Sequence, residues 1–166
     1  VIFLAASALP ARAEGVDVGK PSALRNLVPA EQIENSATQE YQALLRQAAS
    51  KRALAPADDP QVQRLRRIAD HLIPYVRPFN ARAVRWQWEI NLIGSKQINA
   101  FCMPGGKIAF YTGLVDGLKL SDDEIAAVMG HEIAHALREH ARERIAKSQL
   151  ASPGAVLIDE FVGGGR

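Results

Sequence analysis

Cysteine is nearly missing from this chain of 166 residues: Cys102 stands alone. That excludes an internal disulfide and any cysteine-based metal cluster, and it marks Cys102 as a small buried apolar side chain. Long hydrophobic runs are missing as well. No stretch reaches the roughly 20 apolar residues that a membrane-spanning helix needs. Nor does one sign of charge dominate: 20 Lys and Arg face 18 Asp and Glu, for a net charge of +2. With no basic patch and no interleaving of aromatic and basic residues, a nucleic-acid partner has no support. What remains is an ordinary globular composition, 48% hydrophobic and 23% charged, enough for one domain with a real core.

The stretch with the most chemistry runs from Ser121 to Lys147 and reads as a single helix. Ser121 with Glu124 fits a capping box, Asp122 and Asp123 occupy the first turn, and Arg142, Arg144 and Lys147 crowd the far end. Within it lies His131-Glu132-Ile133-Ala134-His135, an H-E-x-x-H pattern. Residues four apart on a helix differ by roughly 40° of rotation and about 6 Å of rise, so His131 and His135 can share one metal ion. Glu132 lies roughly 100° round from His131, beside the metal but off the ligand line. Zinc bound there would lower the pKa of a coordinated water and polarise a scissile carbonyl, with Glu132 as general base. In a chain of this composition the pattern arises by chance with a probability of roughly 0.006, so it carries weight. The competing reading is an amphipathic helix with two solvated or core histidines.

The same helix puts Ile125, Met129, Ile133 and Leu137 opposite the histidines, while Ala126, Ala127, Gly130, Ala134 and Ala141 keep other faces slim. It is expected to pack by its back and line a cleft with its front. On a continuous helix His140 falls about 180° from His131 and is not expected on the same metal. His140 also follows His135 by five residues rather than six, and Arg138 stands where the metzincin pattern requires Gly, so that pattern is excluded.

The chain opens with the apolar run Val1 to Leu9, then Pro10 and Ala11-Arg12-Ala13. This has the form of the h-region and A-x-A cleavage site of a secretory signal peptide, and it implies export to the periplasm. Residues 1–13 are assigned to that signal, against a buried apolar segment as the alternative. Residues 14–35 are expected to be extended or mobile, and 36–166 to form the folded domain. The closing Gly163-Gly164-Gly165-Arg166 suggests a piece of a longer protein.

Between these ends, Ser36 to about Leu54 suits a helix with Tyr41, Leu44, Leu45 and Ala48 as its apolar stripe. Asp59 can cap a second helix with Pro60 at its first position and Val62, Leu65, Ile68, Ala69, Leu72 and Ile73 inward. His71 on it reads as a surface or packing residue. Alternation from Val84 to Leu92 predicts a half-buried strand with Trp86 and Trp88 inward. Ile98 to Cys102 and Lys107 to Tyr111 read as two more strands joined by Pro104-Gly105-Gly106, and Thr112 to Leu118 as a short helical link. Helices, a small antiparallel sheet and the H-E-x-x-H helix make an α+β class.

Taken in order, Asn99 to Ile108, then Thr112-Gly113-Leu114, then the H-E-x-x-H helix resemble the zinc metalloproteases of peptidase family 48 of the metallo class, with its HtpX-type, CAAX-prenyl and mitochondrial Oma-type branches. The resemblance covers roughly residues 36–147. It implies a gluzincin-like fold, one Zn2+ per chain on His131 and His135, and Glu132 as catalytic base. It also implies protein or peptide substrates that pair with the Asn99 to Phe101 stretch by strand addition, and a role in cell-envelope protein quality control, with peripheral association with the envelope. The family's third ligand is a Glu on a later helix, expected beyond residue 166. Glu139 lies about 12 Å along the axis from His131 and Glu143 further, leaving Glu160 as the one later carboxylate to consider. Two other readings stand beside this one: a non-catalytic chaperone-like or scaffolding protein on the same fold, and a metal-dependent hydrolase of non-peptide substrates.

Overall fold

The computed structural model describes residues 23–151; the signal-like segment, Glu160 and the expected place of a third ligand lie outside the described residues. A short 3-10 turn, Ala23–Leu27, leads into helix α1, Ala30–Ser50. Part of the segment expected to be extended is therefore helical, and Ser36 sits inside α1 rather than capping it. The reason is a stripe at helical spacing that begins early: Ile33 and Ala37 are buried on the same face as Tyr41, Leu45 and Ala48. Helix α2, Pro60–Leu72, starts where expected, its cap carboxylate on Asp59 accepting from the amides of Gln61 and Val62 at 2.8 and 3.3 Å.

The sheet has three strands, β1 Glu89–Ile93, β2 Ala100–Met103 and β3 Lys107–Tyr111, in the order β1-β3-β2. β3 pairs antiparallel with β2 but parallel with β1, so the sheet is mixed, not antiparallel as expected. The β2–β3 hairpin turns at Gly105 and Gly106, both at positive φ (84° and 79°), which a side chain would strain. A Cβ on Gly106 would also stand 2.8 Å from the Trp88 ring. The long alternating strand over Val84 to Leu92 is a second departure. Ala81–Arg85 is a 3-10 turn, Val84 is exposed, and pairing starts only at Glu89. Both tryptophans precede the strand, half-buried and packed on each other with ring centroids 5.4 Å apart.

Both sheet faces are covered, which is why β2 and β3 are buried at every position. One face, with Ile90, Leu92, Cys102, Ile108 and Phe110, packs on α2 and on helix α4, Asp122–Leu137. The other, with Phe101, Met103, Ala109 and Tyr111, packs on α1 and on helix α5, His140–Ala151. The short helix α3, Thr112–Val115, links β3 to α4. Cys102 is free and buried, as expected. The outer side of β1 is occupied by the Ala53–Ala55 backbone, with Ala55 N–H donating to Leu92 at 3.0 Å and Leu54 bridging Ile93. β2 is left as the open edge among the described residues. No described helix is long and apolar enough to cross a membrane.

Polar ties hold α1 in place. The Tyr41 hydroxyl donates to the Ile108 carbonyl and accepts from Asn91 at 3.1 Å. Glu34 accepts a two-pronged pair from Arg82 (2.9 and 2.7 Å) and a third bond from Trp86 Nε1 at 3.0 Å. Burial alone would raise the Glu34 carboxyl, but the bonds from Arg82 and Trp86, with the charges of Arg82 and Arg85, outweigh it and hold it below the usual range. Its ionised form therefore stabilises the fold above the ordinary glutamate value of 4.5, and that contribution is lost as pH falls through the lowered folded value. Glu34→Gln should cost about 1–2 kcal/mol at pH 7, allowing for the partial exposure of Arg82. In urea unfolding, the gap to the parent should narrow as the pH drops below that ordinary value; a gap that widens in acid would contradict the assignment.

Candidate metal centre

Helix α4 begins as its sequence dictates. Ser121 Oγ accepts from the Glu124 amide at 3.3 Å while Glu124 Oε2 accepts from the Ser121 amide at 2.8 Å, a closed capping box. Ile125, Met129, Ile133 and Leu137 are all buried, so the helix is pinned by its back, as its wheel implies. The turn carrying His131 to His135 is thereby rotated outward: His131 is exposed, while Glu132 and His135 are half-buried.

The two histidines converge. Their Nε2 atoms are 2.9 Å apart, with ring centroids 4.5 Å apart and planes nearly perpendicular. Two imidazoles on one tetrahedral zinc, at Zn–N of about 2.0–2.1 Å, stand roughly 3.3 Å apart, so a shift of a few tenths of an ångström admits a metal. As donors the pair fits two positions of a zinc site. No group of three or more metal-binding side chains is assembled among the described residues. Burial lowers the pKa of His135, helped by the charges of His140, His131 and Arg144, which favours the neutral imidazole that ligation requires. Burial raises the pKa of Glu132, with His131 pulling the other way, making it a readier proton acceptor. Glu132 lies on the β2 side of the helix: its charge adds to burial in holding the Cys102 thiol protonated.

The helix does not run on to Lys147. It ends at Leu137, and Arg138 and Glu139 turn the chain before α5 begins at His140. Glu139 takes a positive φ of 58°. The turn is held by Glu139 itself, paired with Arg25 at 3.1 Å and Arg142 at 2.9 Å, and by Asn80, whose amide donates to the Leu137 carbonyl at 3.1 Å. The break overturns the expected position of His140. Instead of facing away, its Nδ1 lies 2.6 Å from Nδ1 of His135. Sequence reasoning missed this because no Gly or Pro marks the turn, and a Glu in the left-handed region has no local signature. The other carboxylates and histidine stay apart from the pair: Glu139 is engaged as above, Glu143 pairs with Lys147, and His71 is exposed on α2 against the Arg67 carbonyl.

Residues 59–163 match peptidase family M48, a span that includes the hairpin, α4 and the histidine pair. The chain belongs to this family. Among its relatives, a mitochondrial metalloendopeptidase OMA1 of Arabidopsis thaliana is 46% identical over 75 residues, covering 45% of this chain and 15% of the relative. Metalloprotease LoiP of Escherichia coli is 34% identical over 94 residues, 57% of this chain and 34% of that protein. A beta-barrel assembly-enhancing protease of Yersinia pestis is 31% identical over 74 residues, 45% and 15%. The chain thus spans between 15% and 34% of the length of these three relatives.

Beside the histidines, this M48 chain has an apolar groove of about 230 Å³ along α4, between Gly130, Ala134 and Leu137 on one wall and Leu72, Tyr75, Val76 and Phe79 on the other. Gly130 contributes nothing that an alanine would not tolerate: a Cβ there meets no atom within 4 Å. Gly130→Ala should therefore raise stability by about 0.5–1 kcal/mol through helix propensity alone, read as a higher Tm. A lower Tm would mean that the groove wall closes onto this position.

Proposed function

We propose that this chain carries the front part of the active centre of a zinc-dependent endopeptidase. The observation that carries the reading is the convergence of the His131 and His135 Nε2 atoms at 2.9 Å beside a half-buried Glu132 whose pKa is raised. Zinc held by these two nitrogens and a third donor would polarise the scissile carbonyl and acidify a water molecule. One helical position on from His131, Glu132 would stand beside such a water without being a ligand, and its carboxylate could take the water's proton and pass it to the leaving amine. The open edge strand β2 beside α4 is what a gluzincin-like arrangement would require, and it supports the same reading.

That edge also supports the substrate class. Asn99 and Met103 accept from Tyr111 and Gly106 of the β3 side, which places Ala100 and Cys102 at the alternate positions, with their backbone groups turned to the free edge, where the Asn99 side-chain oxygen accepts from the Ala100 N–H at 2.9 Å. An extended peptide can add there as a further strand and lie along α4, past the histidine pair. Residues 1–13, with their signal-like pattern, support export to the periplasm. The similarity to a beta-barrel assembly-enhancing protease of Yersinia pestis supports work on protein assembly. Misfolded or misassembled envelope proteins are the substrates we favour.

The test is casein digestion by this chain, and by a version extended through the downstream region, each with zinc and each beside its Glu132→Gln variant. The variant should keep its zinc and lose at least about 100-fold of the hydrolysis rate, because the ligands survive and the base does not. Turnover retained in the variant would remove Glu132 from the role. Zinc binding without cleavage in the extended protein would favour the scaffolding alternative.

A further inference from the structure

We infer that His140 is a positioning residue for the metal site: once a metal is held, it would accept a hydrogen bond from Nδ1–H of His135 and so hold that imidazole in the tautomer and orientation that ligation needs. The inference rests on the zinc reading of His131 and His135 given above. A histidine that ligates through Nε2 carries its remaining proton on Nδ1, and a partner on that nitrogen decides both tautomer and ring angle. In this structure that partner is His140, with Nδ1 to Nδ1 at 2.6 Å and ring planes inclined at 64°. His140 cannot itself join the metal, because it meets His135 on Nδ1 while His131 meets the same ring on Nε2.

The fold places it there deliberately through the turn at Arg138 and Glu139. Without that turn His140 would lie on the far side of the helix. The 3.3 Å approach of Arg138 Nε to His140 Nε2 suits the opposite tautomer, in which His140 donates to His135. Ligation would therefore reverse the direction of the His135–His140 bond and release that contact.

The experiment measures zinc affinity of the full chain by competition with a chromophoric chelator, for the parent, His140→Phe, His140→Asn, His131→Ala, His135→Ala and the double variant His135→Ala/His140→Phe. Thermal melts of the metal-free proteins establish that each is folded. Phe keeps the volume without an acceptor, whereas the Asn side-chain oxygen can stand near the place of Nδ1. His140→Phe should weaken zinc about 10–100-fold. His140→Asn should return most of that loss, and in the His135→Ala background His140→Phe should change nothing further. Unchanged affinity in His140→Phe, or equal loss in the Phe and Asn variants, would overturn the positioning role while leaving the metal site standing. Affinity indifferent to His131→Ala would overturn the metal site itself, and this inference with it.

Discussion

The structure depends on the way α4 is seated. Four apolar side chains at helical spacing, Ile125, Met129, Ile133 and Leu137, are each no more than 6% exposed, locked against the sheet and α2. Burying each is worth about 1.5–3 kcal/mol, and a one-residue slip would turn the helix by roughly 100° and expose the whole stripe. That constraint fixes the rotation of the helix. It forces His131 outward and Glu132 toward β2, and it leaves His135 between them.

The second constraint is the turn after Leu137. A glutamate at positive φ costs on the order of 1 kcal/mol, and a helix simply continuing would avoid it. Here the cost is offset by what the turn makes possible. Glu139 meets Arg25 from before α1 and Arg142 from α5, Asn80 covers the exposed Leu137 carbonyl, and Arg142 Nε donates to the Val28 carbonyl at 2.6 Å. The redirected α5 buries Ala141 and Ala146 in the core beneath α1, on the opposite face of the sheet from α4. One short turn thus joins the two cores and delivers His140 to His135.

The sheet serves the site by being covered unequally. Its faces are buried by helices, and the β1 edge is occupied by the backbone that follows α1. Only β2 keeps an open edge among the described residues, and β2 is the strand on which α4 packs. The mixed pairing is what puts it there: β3 inserts between β1 and β2, so the hairpin's first strand is displaced to the margin beside α4.

Much of this was legible in the sequence, wherever the cause is local. The capping box at Ser121, the Asp59-Pro60 start of α2, the glycine turn and the apolar back of α4 follow from spacing and backbone chemistry within a few residues. The convergence of His131 and His135 follows too, because the helical repeat alone sets it. Elsewhere the deciding partner is distant in the chain. Ile33 extended α1 because a sheet face was there to receive it, and the Trp86-Trp88 alternation gave a turn because Glu34 and Ala83 took the indole N–H groups. The parallel pairing of β1 with β3 and the position of His140 belong with these. No helix breaker marks Glu139; its conformation is decided by Arg25, more than a hundred residues earlier, and by Arg142 across the turn. Spacing and capping within one stretch of chain were enough to set the helix that carries the pair of histidines. The tertiary structure decided which side chain stands behind His135, because only long-range ion pairs and a second core could stabilise the bend that brings it there.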